Sequence, residues 1–140
     1  MPRLIGIDYG LRRVGLAITD PLQIIATSLE TVPTKDVLSY LVDYCNNEEV
    51  AAFVVGMPRN LDGQATDSTA AVQKFVQRLK SKFPSYPIHL HDERYTSKMA
   101  LNAMITGGST KKDRRKKENI DKISAIIILQ SYMEAQSYLK

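Results

Sequence analysis

Apolar and polar positions divide the chain into short runs that read first as strands, then as alternating helices and strands. Ile5-Gly6-Ile7-Asp8-Tyr9 and Val14-Gly15-Leu16-Ala17-Ile18 are two apolar runs separated by Gly10 and the basic turn Arg12-Arg13. A third run follows Asp20-Pro21, so the pattern predicts strands over about 3–9, 13–19 and 23–32. Their connections are too short for a crossover helix, which makes the three an antiparallel meander. Pro33-Thr34 opens a helix reaching about Asn46-Asn47, with Thr34 or its neighbour as the expected cap. Val37, Leu38, Leu41, Val42 and Cys45 share one face of it at helical spacing, and Cys45 reads there as a small core residue. Ala51 to Met57 is apolar throughout, as a strand buried on both faces and parallel to its neighbour would be. A helix with Val72, Phe75, Val76 and Leu79 on its apolar face spans Asp67-Ser68 to Lys82, and Ile88 to Asp92 is a further strand. Thr96 caps a helix to about Thr106, which Gly107-Gly108 stops, and a last helix covers about Asn119 to Tyr138. A three-strand meander followed by alternating elements predicts an α/β fold: a mixed five-stranded sheet with parallel strands beside the meander, flanked by helices.

Composition narrows the class. A chain of 140 residues suits a single domain over 1–140. Its 44% hydrophobic content is enough for a core, and no run of about 20 apolar residues predicts a membrane span. The N-terminus lacks a signal-peptide pattern, and one cysteine excludes an internal disulfide, so the expected location is cytoplasmic. Charge is more informative by place than by total. Lys111, Lys112, Arg114, Arg115, Lys116 and Lys117, offset only by Asp113, give that segment +5, and the rest of the chain is close to neutral against a net charge of +4. Basicity focused in one loop points to a polyanion contact at one place.

The candidate chemistry lies in three acids. Asp8 sits inside a strand, where a charge is costly without a partner or a metal. A strand acid followed at once by a hairpin is how two fold families build a metal-dependent phosphate site. One is the RNase H-like nucleases and the other the actin and sugar-kinase ATPases; the length is short for the second, which closes two domains on a nucleotide. Asp92-Glu93 ends the strand that starts near Ile88, and Asp121 opens the last helix on the face of Ser124, Ala125, Ile128 and Tyr132. Strand alternation puts Asp92 and Glu93 on opposite faces, so one of the two is the expected ligand, and the pattern alone does not choose. Carboxylate oxygens suit Mg²⁺ or Mn²⁺, which can activate water and stabilise the leaving oxygen of a phosphodiester. His89 and His91 share a strand face, but no third His or Cys at suitable spacing supports a closed zinc site.

These motifs, in order, resemble the YqgF (RuvX) family, Holliday junction resolvase-like proteins described as pre-16S rRNA nucleases. The resemblance rests on Gly6-Ile7-Asp8-Tyr9-Gly10 with Val14-Gly15-Leu16-Ala17, on Gly56-Met57-Pro58 with Asp62-Gly63, on Asp92-Glu93-Arg94-Tyr95-Thr96-Ser97, on the basic loop, and on Asp121 with Ser124-Ala125 and Ile128-Leu129-Gln130. It covers essentially the whole chain. Tyr95-Thr96 and Ser124 depart from the family pattern conservatively. The resemblance implies an RNase H-like fold and a metal-dependent nuclease. It selects Glu93 over Asp92, so that the acid triad falls on Asp8, Glu93 and Asp121, with Mg²⁺ or Mn²⁺ as cofactor. It also implies that Arg94 binds phosphate or orders the site. Arg12, Arg13 and the cations of Lys111–Lys117 are then expected to hold the nucleic-acid backbone. The expected partner is an rRNA precursor, with branched DNA as the alternative, a ribosomal particle as a further partner, and a monomer or homodimer as the assembly. A non-catalytic ribosome-assembly factor is the rival from outside enzymology.

Overall fold

A computed structural model of the chain describes residues 3–57, 67–92 and 117–138. The meander consists of β1 (Arg3–Tyr9), β2 (Arg13–Thr19) and β3 (Ala26–Pro33). A single 3-10 turn, Thr34–Asp36, leads into α1 (Val37–Asn47), followed by β4 (Val50–Met57), α2 (Asp67–Lys82), β5 (Ile88–Asp92) and α3 (Lys117–Tyr138). The five strands form one sheet in the order β3-β2-β1-β4-β5. β1 pairs antiparallel with β2 and parallel with β4, and β4 pairs parallel with β5, which confirms the mixed sheet and the parallel placement of the apolar run at Ala51–Met57. The helix expected over about 96–106 lies outside the described residues.

Strand alternation sorts the core into two layers. Ile5, Ile7, Leu16, Phe53 and Val55 point to one face, where Val37 and Leu41 of α1 and Val72, Phe75, Val76 and Leu79 of α2 close over them. Leu4, Ala17, Ala52 and Val54 point to the other, where Ala125, Ile128 and Leu129 of α3 cover them. Phe53 anchors the first layer, with Phe83 at 5.0 Å and Tyr86 at 5.5 Å between ring centroids. Cys45 packs half-buried against this layer, and burial pushes its thiol up, as befits a small core residue and not a reactive thiol. Tyr132 and Met133 pack against the second layer.

Two local expectations are corrected. The third strand begins at Ala26, not near residue 23, because Asp20 takes the backbone donors that would have started it. Its carboxylate accepts the N–H groups of Ile24 at 2.7 Å, Ile25 at 2.8 Å and Leu22 at 3.3 Å. Gln23 is thrown into the left-handed region at φ 57°, and Leu22, Ile24 and Ile25 are left largely exposed. Thr34 does not cap α1. Its hydroxyl donates to the carbonyl of Gly10 at 2.6 Å and its N–H to that of Arg12 at 3.0 Å, so it ties the β1–β2 turn to the start of the helix. Pro33, with no hydrogen-bonding side chain, stands at the cap of the 3-10 turn.

The Asp20 loop yields a pH prediction. The N–H groups of Ile25 and then Ile24 hold its carboxyl below the ordinary value of 3.8. A carboxyl depressed in the folded state stabilises the fold above its unfolded pKa, and that contribution fades as pH falls through the folded value. In urea titrations the stability gap between wild type and Asp20→Ala is therefore expected to be constant from about pH 5 to 8 and to shrink below about pH 4. A gap that does not narrow in acid would remove the carboxylate from this role.

Candidate functional site

The parallel strands β1, β4 and β5 end on the same edge of the sheet, the edge where α/β sheets characteristically place their ligands. Asp8 stands there, half-buried, one residue before the end of β1. Its strand partner is Gly15, and the alternation that turns Leu4 and Gly6 toward α3 turns Asp8 the same way. Tyr9, on the opposite face, stacks on Phe75 of α2 at 4.6 Å between centroids, which pins the end of β1 to the first core layer. Asp8 is thus held by a central strand, with its carboxylate on the α3 side.

The helix on that side comes unusually close. A Cβ added to Gly6 would lie 2.5 Å from Cγ of Leu129 and 3.0 Å from the carbonyl oxygen of Ala125. The small Ser124 and Ala125 permit this approach, and both residues are buried. Asp121 lies one helical turn before Ala125, about 6 Å of rise, in the opening turns of α3. β5 ends at Asp92 opposite Met57, two strands and about 10 Å from β1. The structure therefore brings the elements bearing Asp8 and Asp121 into contact, and ends β5 at the same edge. Glu93 and Arg94 lie outside the described residues, as do Lys111, Lys112, Arg114, Arg115 and Lys116; Asp92, Lys117 and Asp121 are placed by backbone.

Arg12 lies in the β1–β2 turn and Arg13 opens β2 at this same edge. The turn is tight, since a Cβ on Gly10 would lie 2.5 Å from the carbonyl oxygen of Arg13. With Thr34 bonded to Gly10 and Arg12, it is a fixed platform beside Asp8 that presents Arg12 and Leu11 to solvent.

The two histidines of β5 serve packing. His89 stacks on Tyr132 at 5.2 Å, and Nε2 of His91 shares a hydrogen bond with Oγ of Ser131 at 2.7 Å. Among the described residues no three His, Cys, Asp or Glu side chains gather as a metal cluster. The His91–Ser131 link, which no local pattern announces because its partners are 40 residues apart, joins α3 to the last strand before Glu93. Ser131→Ala is expected to cost about 1 kcal/mol in chemical denaturation, the usual worth of one such bond; an unchanged midpoint would show the link to be idle.

Comparison with known proteins identifies the lineage of this edge. Residues 2–135 match the family model for RuvX, described as Holliday junction resolvase.

The chain belongs to the RuvX family.

Its relatives include a protein of Amoebophilus asiaticus, 51% identical over 135 residues, which covers 96% of each chain. Another, from Phocaeicola vulgatus, is 45% identical over 139 residues and covers 99% of this chain and all of its own. Both are provisionally named pre-16S rRNA nucleases. Among solved structures the RuvX chain is similar to Thermus thermophilus RuvC bound to a Holliday junction, with TM-score 0.60, 18% identity, and coverage of 98% and 96%. It is also similar to the Fowlpox virus resolvase bound to Holliday junction DNA, with TM-score 0.61, 16% identity, and 99% of each chain covered. The fold is that of the RuvC-like, RNase H-like resolvases.

Proposed function

We propose that this chain is a metal-dependent nuclease that hydrolyses phosphodiester bonds in RNA and trims the 5′ end of the 16S rRNA precursor. The observation that carries the reading is Asp8: a carboxylate on the central strand of an RNase H-like sheet, at the edge where the parallel strands end, facing the helix that bears Asp121. Membership of RuvX and the provisional names of relatives 45–51% identical support the substrate. The chain 1–140 is read as one nuclease domain working in the cytoplasm; among the described residues no helix is long and apolar enough to cross a membrane.

The donor set fits a hard divalent cation. Asp8, Glu93 and Asp121 offer carboxylate oxygens only, the chemistry that Mg²⁺ and Mn²⁺ prefer. These three would hold the metal, and the chemistry it supplies when bound is activation of water and neutralisation of charge at the leaving oxygen. Asp8 fixes the site to the rigid sheet. Arg12 on its braced turn, Arg13 at the start of β2, Arg94, and the cations of Lys111–Lys117 would hold the phosphates flanking the scissile bond, in contacts that are sequence-independent and salt-sensitive.

The test is cleavage of a labelled 16S precursor fragment by wild type and Asp8→Asn, with and without Mg²⁺ or Mn²⁺, and with a four-way DNA junction of equal length beside it. Metal-dependent RNA cleavage that the substitution abolishes is expected. A second reading, a branched-DNA resolvase, is favoured by the family model's own description and by the likeness to two resolvases. Cleavage of the junction alone would transfer the proposal to it. RNA binding without turnover under any metal would point to an assembly factor.

A further inference from the structure

The face of the sheet opposite Asp8 carries a second concentration of positive charge. Between α1 and α2 lies an open groove of about 540 Å³, lined by Leu38, Lys74, Gln77, Arg78, Ser81 and Lys82. Lys74, Arg78 and Lys82 stand at i, i+4 and i+8 of α2, so they form one stripe with a rise of about 6 Å per step. The helix cannot turn this stripe elsewhere, because Val72, Phe75, Val76 and Leu79 are buried in the first core layer and fix its rotation. All three cations are exposed, and among the described residues none of them forms an ion pair. Among the described residues no acid lines the groove, while Gln77 and Ser81 add neutral hydrogen-bonding groups between the charges.

That composition is informative. Like charges at i, i+4 spacing repel and destabilise a helix slightly, whereas a face needed only for solubility carries interspersed signs. Three evenly spaced cations with neutral donors between them match successive phosphates of one nucleic-acid strand, and such contacts carry no sequence information. We infer that this groove binds the phosphate backbone of the RNA at a segment away from the cleaved bond, as a second anchor on the opposite side of the sheet. The inference rests on the nucleic-acid reading above and adds a surface to it. Two anchors on opposite faces suit a substrate that is long and folded.

Binding is measured with catalysis silent, in EDTA, by fluorescence anisotropy of a labelled 16S precursor fragment between 50 and 200 mM KCl. Lys74→Gln/Arg78→Gln is compared with Lys35→Gln/Lys80→Gln, which removes the same charge from residues that do not line the groove. The groove pair is expected to weaken binding about 10- to 30-fold near 0.1 M salt. It should also make the slope of log K against log salt shallower by about 1.4, the value for two lost phosphate contacts on a single strand. The control pair should change both far less. Equal effects of the two pairs would overturn the second anchor and leave the nuclease reading standing. A wild-type chain that binds no RNA would overturn both.

Discussion

Asp8→Asn is expected to lower metal-dependent cleavage of the 16S precursor fragment by at least about 100-fold while the fold survives. Losing an outer partner of a metal ligand already costs about 10- to 100-fold, so losing a ligand should exceed that range. The substitution keeps the size of the side chain and one of its oxygens. β1 keeps its ladders to β2 and β4, and Tyr9 keeps its stack on Phe75. What disappears is one negative charge at a half-buried strand end. Thermal melts of the two proteins should therefore agree without metal and part when Mn²⁺ is added, because a ligand stabilises only the form that binds it. This second readout does not depend on turnover. If Mn²⁺ raises both melting temperatures equally, Asp8 is not a ligand, even if activity is lost.

Much of this architecture is written locally in the chain. Ile5, Ile7, Leu16, Phe53 and Val55 reach the first core layer because strand alternation and apolar runs declare them, and Val72, Phe75, Val76 and Leu79 do so by helical period. Asp8 stands out for the same reason: it is a charge inside such a run. Features that depend on competition between distant groups are not so declared. The start of β3 is decided by one carboxylate capturing three N–H groups, and Thr34 is drawn from its expected cap by the carbonyl of Gly10, 24 residues earlier. Ser131 meets His91 only because α3 crosses the sheet. The stripe of Lys74, Arg78 and Lys82 is not contiguous in sequence, because helical spacing scatters it among apolar residues. The three acids divide along the same line. Asp8 is fixed by its strand, the place of Asp121 depends on how closely α3 can pack, and the choice of Glu93 over Asp92 came from family resemblance.

That packing depends on Gly6, and the second large effect is expected there. Gly6→Ala should destabilise the fold by about 1–3 kcal/mol, the usual cost of overfilling a core. The added methyl would meet Leu129 at 2.5 Å and the backbone of Ala125 at 3.0 Å. A side chain can yield, but the carbonyl of Ala125 can move only with α3 itself. The helix bearing Asp121 should therefore shift relative to the strand bearing Asp8. Cleavage should fall more than stability alone explains, even well below the melting temperature. Leu129→Ala provides the control. Alone it removes a fully buried side chain and should cost about 2–5 kcal/mol. Combined with Gly6→Ala it vacates the space the new methyl needs, so the double variant should be more stable than the sum of the single losses predicts, by about 0.5–3 kcal/mol. Strict additivity would mean that the helix does not rest on Gly6 through Leu129. Recovery of stability without recovery of cleavage would locate the remaining displacement at Ala125, one turn from Asp121.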